Sequence, residues 1–182
     1  MGRFKLSPPK PRGATPPELR AAVAAEARQL LRRWETAHPG NCLWSGAAAV
    51  TTCRVYGLRA VLQAGTAFWQ RTASEDFTTN AFGYQWWGLQ HPQTRERLRE
   101  GLLPEMHVWA ALPSCGELVD VAAGDFPAQC QRLIGQPWEL PSPPDVLWAS
   151  AKTMPREADY RPDLEAIAAA LTLLLGYGMD LR

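Results

Sequence analysis

From Asn41 to Cys53 the chain runs for thirteen residues without a charge: Asn41-Cys42-Leu43-Trp44-Ser45-Gly46-Ala47-Ala48-Ala49-Val50-Thr51-Thr52-Cys53. Pro39 and Gly40 punctuate the chain before this run and Gly57 follows it. The Ala-rich stretch from Cys42 to about Tyr56 therefore predicts a helix with Cys42 in its first turn. A helix apolar on nearly every side has to be buried, so the rest of the chain must be built around this one. At its start, the free backbone N–H groups and the positive end of the macrodipole favour a thiolate over a thiol.

Two strand-like runs follow. Glu105-Met106-His107-Val108-Trp109-Ala110-Ala111-Leu112 is bounded by Pro104 and Pro113, and a period of two puts His107, Trp109 and Ala111 on one face. Glu117-Leu118-Val119-Asp120-Val121 comes after a turn through Pro113, Ser114, Cys115 and Gly116. If the two runs pair as a hairpin, Asp120 is carried to a place beside His107. A thiol, an imidazole and a carboxylate in that order supply a nucleophile, its base and the group that fixes the base's tautomer.

The pattern resembles the transglutaminase-like, papain-like cysteine superfamily, in which a helix-opening Cys precedes a Gly-x-x-Ala-x-Leu-x-x-Gly strand, a His-x-Trp and a later Val-Asp. Here these elements are Cys42, Gly57-Leu58-Arg59-Ala60-Val61-Leu62-Gln63-Ala64-Gly65, His107-Val108-Trp109 and Val119-Asp120. The last extends as Val121-Ala122-Ala123-Gly124-Asp125-Phe126, similar to the Asp-x-Thr-x-x-Gln-Phe pattern of some bacterial members, with Ala122 where Thr is common and Asp125 where Gln is common. The resemblance covers roughly residues 40 to 126, and order and spacing together carry it. It implies a papain-like α+β fold, a Cys42–His107–Asp120 triad and acyl transfer through a thioester. Asn41, Trp44 and Trp109 are the accompanying candidates for oxyanion or substrate contacts.

Each residue also has a plainer reading. A lone Cys in an Ala-rich helix is commonly a small core residue, a lone His a structural one and a lone Asp a turn carboxylate. Cys53, eleven residues after Cys42, falls on nearly the same helix face and reads as core. Cys115 sits in the hairpin turn and Cys130 in a polar helical segment. There is no CxxC and no Cys/His spacing of a structural zinc site, and four cysteines without a signal peptide point to a reducing compartment. Cys42, His107 and Asp120 are legitimate zinc ligands, but they lack an evident fourth. His38 lies just before the Cys42 helix, and His91 precedes Pro92 in a surface loop.

A chain of 182 residues, 46% of them apolar, is expected to form one domain with one sizeable core. A net charge of +1 gives no electrostatic case for nucleic acid. Residues 1–16 carry Arg3, Lys5, Lys10 and Arg12 with no acid and several prolines, the pattern of a flexible basic arm able to touch a membrane or partner. The arm has no apolar h-region, and no stretch reaches membrane-spanning length. Residues 17–182 form the expected single domain.

Thr15-Pro16-Pro17-Glu18 has the form of a capping box and introduces a helix to about Ala37, with Leu19, Val23, Ala27, Leu30, Leu31 and Trp34 as its apolar stripe. Asp163 to Gly176 reads as a second amphipathic helix, its face made by Leu164, Ile167, Ala168, Leu171, Leu174 and Leu175. Between the Cys helix and the His strand, Phe77, Phe82, Tyr84, Trp86 and Trp87 form either a substrate-facing groove or, the preferred reading, a short aromatic strand packed into the core. Arg95, Glu96, Arg97, Arg99 and Glu100 read as a solvated helix face. Val146-Leu147-Trp148-Ala149 reads as one more strand, and Lys152 and Arg156 as solvated surface charges.

The expected molecule is a single α+β domain, papain-like, in which the helix bearing Cys42 packs on an antiparallel sheet bearing His107 and Asp120, flanked by terminal helices. Its expected chemistry is thiol attack on an amide of a protein or peptide as peptidase, deamidase or acyl transferase, with no cofactor and no metal. The expected location is the cytoplasm, with export as an effector without a classical signal peptide also open. The reading from a different class is a catalytically inactive module that grips a peptide. A bacterial effector or toxin acting on a foreign protein is a third.

Overall fold

The computed structural model describes residues 13–35, 42–73 and 80–181. Along the chain come α1 (Pro17–Glu35), α2 (Cys42–Val55), β1 (Val61–Gln70), β2 (Ala81–Tyr84), α3 (Pro92–Arg99), β3 (His107–Leu112), β4 (Glu117–Asp120), a one-turn 3-10 helix (Ala123–Asp125), α4 (Phe126–Ile134), β5 (Leu147–Ser150), β6 (Ala158–Pro162) and α5 (Leu164–Gly176). The strands form one sheet in the order β2-β1-β3-β4-β5, with β6 also paired to β1, and every pairing is antiparallel. The class is α+β. Among the described residues, no helix is long and apolar enough to cross a membrane.

As its uncharged sequence requires, α2 is the centre of the core. Leu43, Trp44, Ala47, Ala48, Ala49, Val50 and Cys53 are all buried, between α1 on one side and β1, β3 and β4 on the other. Sheet alternation then divides the side chains. Leu62, Ala64, Val108, Ala110, Leu112 and Val119 join the core around α2, whereas Ala67, Trp69, Leu147 and Ala149 build a second cluster with Phe82, Phe126 and Cys130 from β2 and α4.

One long strand serves two partners. The first half of β1 pairs with β3 and the second half with both β2 and β6, and Gly65 at the junction stands opposite both His107 and Pro162. A β-carbon on Gly65 would meet the Arg161 carbonyl oxygen at 2.2 Å. Only glycine lets β6 approach there.

Several expectations shift. α2 ends at Val55, and α1 is described to Glu35, with its expected end near Ala37 outside the described residues. The buried face of α5 is Ala166, Ala169, Ala170, Leu173 and Leu174, whereas Leu164 is 84% exposed and Leu175 is also exposed. The expected stripe is therefore rotated, because this helix is apolar almost all round and its neighbours rather than its periodicity select the inner face. The cap of that helix is Asp163, whose Oδ1 accepts from the backbone N–H groups of Glu165 and Ala166.

Thr15 is not part of a solvated arm, nor does its hydroxyl close a capping box. It is buried, and its Oγ1 donates to Glu117 at 2.6 Å. Residues 1–12 lie outside the described residues. β6 has no counterpart in the sequence expectation.

Candidate active site

Cys42 is the first residue of α2, and His107 is the first of β3. His107 and Trp109 stand on the face of β3 opposite Val108 and Ala110, which pack toward α2. The body of the helix is thus on the wrong side of the sheet to meet the imidazole, and only its tip can. That tip lies over the start of β3, where the Cys42 thiol donates to the Met106 carbonyl at 3.3 Å.

Asp120 arrives through the hairpin. The β3–β4 register sets Ala110 opposite Val119. Continued by one residue it sets Trp109 opposite Asp120, so the carboxylate reaches His107 along the diagonal. His107 Nε2 and Asp120 Oδ2 are 2.8 Å apart, and both residues are 1% exposed. The same Oδ2 accepts from the Tyr160 hydroxyl at 2.6 Å, and Oδ1 accepts from the Ala122 N–H at 2.9 Å.

Burial opposes a charge on the ring, but Asp120 outweighs it by charge and hydrogen bond, and Cys42 adds to the effect, so His107's pKa is pushed up to about 10. Burial works against the Asp120 carboxylate as well, while His107, Tyr160 and the Ala122 amide hold its pKa below the ordinary range. The two residues titrate as a pair that favours imidazolium and carboxylate.

With Nε2 committed to Asp120, the other ring nitrogen decides what the imidazole can do. Nδ1 is buried and has no hydrogen-bond partner of ordinary geometry. Cys42 is nonetheless close enough to raise the proton affinity of the ring. The nitrogen left over is therefore the one that faces the sulfur.

Aromatic rings hold the imidazole on several sides. Tyr84 is stacked on it at 5.7 Å between centroids and 10° between planes, Trp109 is stacked at 6.2 Å, and Phe126 and Tyr160 meet it edge-on at 5.1 and 6.0 Å. Such a cage fixes the orientation of the ring and excludes water from its faces. Burial, with the nearby Cys42, pushes the Tyr84 phenol well above its usual value. Tyr84 donates its proton to Gln129 Oε1, which also accepts from Arg132 at 3.5 Å.

Cys42 and His107 lie at the floor of an open cleft of about 700 Å³, whose walls include Tyr84, Trp87, Glu105 and Gln129. Trp87 is 49% exposed, stacks on His91 at 5.6 Å and donates to Glu105 at 3.3 Å. The aromatic stretch thus divides: Phe82 is core, Tyr84 and Trp87 face the cleft, and Phe77 lies outside the described residues. The charge run on α3 divides as well, because Glu96, Arg97 and Glu100 border the cleft instead of facing bulk water alone.

Three secondary candidates fare differently. Trp44 is buried against Trp34 and Tyr177, since two residues past Cys42 is about 200° around the helix, toward α1 and the C-terminal segment. It cannot touch a substrate in the cleft. Trp109 is 2% exposed and flanks the imidazole, with Tyr160 edge-on to it at 5.2 Å, so it supports His107 instead of contacting substrate. Asn41 and His38 lie outside the described residues.

Tyr160 and Gln129 were not visible as site residues in the sequence. The only signal for Tyr160 was an aromatic flanked by the charges Asp159 and Arg161. Cys42 and Asp120 lie toward different nitrogens of the imidazole and cannot share one ion, and among the described residues no group of three His, Cys, Asp or Glu is arranged to hold a metal.

No family model matches the sequence, and no curated protein matches it. Among solved structures, the crystal structure of a genomics target is similar over 86% of this chain and 72% of that chain, at 14% identity and a TM-score of 0.47.

Proposed function

We propose that the protein is a papain-like thiol enzyme that cleaves or transfers an amide of a protein or peptide through an acyl-enzyme, as peptidase, deamidase or acyl transferase. One observation carries the reading. A buried imidazole has its Nε2 bound to a buried carboxylate and its Nδ1 unpaired beside a thiol on the floor of a cleft.

In this reading the proton shared by Cys42 and His107 rests on His107 Nδ1, giving an imidazolium beside the thiolate, and the sulfur forms a bond to the amide carbonyl carbon. The backbone N–H of Cys42, among the first four of α2 and so without an intrahelical partner, is the donor for the oxyanion. As the intermediate collapses, Nδ1–H protonates the leaving nitrogen, the C–N bond breaks and a thioester remains. Water or an amine then attacks the thioester and gives its proton to Nδ1, and the C–S bond breaks as the proton returns to sulfur. Asp120 stays ionised throughout. All four cysteines are free thiols, which fits work in a reducing compartment such as the cytoplasm.

The test is the pH dependence of iodoacetamide labelling at each cysteine, read by peptide mass spectrometry in folded wild type and in His107→Ala. Cys42 is expected to label fastest at pH 7 and to slow in the variant. Labelling of Cys42 no faster than an ordinary exposed thiol, or indifferent to His107, overturns the reading and leaves an inactive binding module in its place.

A further inference from the structure

The carboxylate behind His107 is itself held from behind, by a chain of donors whose direction the chemistry fixes. Trp69 Nε1 lies 3.1 Å from the Tyr160 hydroxyl oxygen, and that oxygen lies 2.6 Å from Asp120 Oδ2. An indole N–H can only donate. The Tyr160 oxygen therefore accepts from Trp69, and its own proton points at Asp120.

Asp120 in turn accepts the Tyr160 proton on Oδ2 and the Ala122 N–H on Oδ1, so each oxygen already takes a donor other than His107, which favours the ionised carboxylate over the acid. An acceptor-only Asp120 forces His107 to carry a proton on Nε2. Nδ1 is then left as the site that gives and takes a proton toward Cys42.

From this polarity we infer that Tyr160, with Trp69 behind it, is a positioning residue that sets the proton direction of the site by keeping Asp120 ionised and His107 in the tautomer that serves Cys42. The inference rests on the thiol-enzyme reading for its consequence, though not for its geometry. Tyr160 belongs to β6, which pairs with β1 and not with the His–Asp hairpin, so the site has a third structural support.

The charged and titratable groups around Asp120 come from four elements: His107 on β3, Tyr160 on β6, Asp125 on the 3-10 helix and, through the imidazole, Cys42 on α2. Burial and Asp120 keep the Tyr160 phenol protonated far above its usual range, so its hydroxyl remains a donor at every pH of interest. Asp125, raised by burial and by Asp120, adds negative charge that works against Asp120 ionisation. That leaves His107, Tyr160 and the Ala122 amide to hold the carboxylate.

Tyr160→Phe keeps the ring against His107 and Trp109 and removes only the donor. With one hydrogen bond fewer on its carboxylate, Asp120 takes up a proton more readily, and the acid edge of the Cys42 labelling profile is expected to move up by about one pH unit. Trp69→Phe frees the hydroxyl to rotate and moves the edge the same way by less. An unchanged acid edge in Tyr160→Phe, with wild-type Cys42 reactive, overturns the inference and leaves the enzyme reading standing.

A second measurement is independent of reactivity. In ¹⁵N-histidine protein carrying Cys42→Ala, His107 Nε2 is expected to show a protonated nitrogen shift that moves toward the unprotonated range when Tyr160→Phe is added. No difference between these two proteins sinks the positioning role, whether or not Cys42 proves to be a nucleophile.

Discussion

Gly46 lies so close to Val108 that a β-carbon placed on the glycine would meet Val108 Cγ1 at 2.5 Å and the strand backbone at 3.1 Å. Gly46 is one helical turn beyond Cys42, and Val108 adjoins His107. The contact therefore fixes the spacing of helix and strand at the point where Cys42 and His107 approach each other. Close approach is the reason for glycine here.

Gly46→Ala is expected to push α2 off β3. Overpacking of this kind costs about 1–3 kcal/mol, readable as a lower urea midpoint. The same variant is expected to slow Cys42 labelling at pH 7, because the sulfur moves away from Nδ1. A variant with wild-type stability and wild-type labelling would show that the helix and strand can separate without consequence.

Asp120→Ala removes one partner of a buried ion pair and leaves His107 enclosed by aromatic rings with nothing to hold Nε2. Unfolding free energy is expected to fall by about 3–5 kcal/mol. Asp120→Asn keeps most of the volume but presents an amide whose NH₂ group can turn toward the ring, favouring the wrong tautomer. If the protein is the thiol enzyme proposed, its turnover is then expected to fall by about 10⁴-fold, with a smaller loss of stability. The contrast between the two variants, read by urea unfolding and by Cys42 labelling, separates the structural role of the carboxylate from the orienting role proposed for it.

The His107–Asp120 pair was legible in the sequence because a hairpin is local. Two strand-like runs joined by a short turn ending at Gly116, which has φ 69°, fix their own register, and the register fixes the diagonal. The burial of α2 was legible for a similar reason, since a helix without charges has no surface to show. Tyr160 was hidden because Ala158-Asp159-Tyr160-Arg161-Pro162 has neither the composition nor the alternation of a strand; its place comes from pairing with β1, about ninety positions earlier. Trp44 was misread as a site residue because nearness to Cys42 in sequence is not nearness on a helix, where two positions nearly reverse direction.

The pH dependence of stability follows from the raised histidine. With a folded pKa of about 10 against an ordinary 6.5, the folded state holds a proton that the unfolded chain releases. His107 contributes its stability in full below pH 6.5 and loses it progressively as pH rises to about 10. Asp120 acts at the other end: its lowered pKa gives stability above the ordinary carboxylate range, lost as pH falls through the folded value. The buried Cys53 thiol, pushed up to about 12 by burial, adds an alkaline loss of its own above pH 9. The clean observable is thus the difference between wild type and His107→Gln. Urea unfolding from pH 6 to 9 is expected to show a falling wild-type stability and a flatter profile in the variant; parallel profiles would mean that His107 gains no proton affinity on folding.

Glu117 tests whether the two ends of the β3–β4 hairpin are independent. At the far end of β4 from Asp120, its Oε2 accepts from the Thr15 hydroxyl at 2.6 Å and the Trp148 indole at 3.0 Å, and the Cys115 thiol donates to the same oxygen at 3.2 Å. Arg20 pairs with Oε1 at 2.5 Å. These donors hold the Glu117 carboxyl below its usual range against the cost of burial. The cluster ties the start of α1 to the hairpin and to β5, and it touches neither Cys42 nor the cleft. Because Arg20 is partly exposed, solvent screens part of the ion pair, and Glu117→Ala is expected to cost roughly 2–3 kcal/mol, less than loss of the Asp120 carboxylate. Cys42 labelling at pH 7 is expected to stay at the wild-type rate under conditions where the variant is folded. A large fall in labelling would show that the anchor of α1 governs the geometry of the site, and that the helix tip is held by the whole α1–α2 layer instead of by its contact with β3.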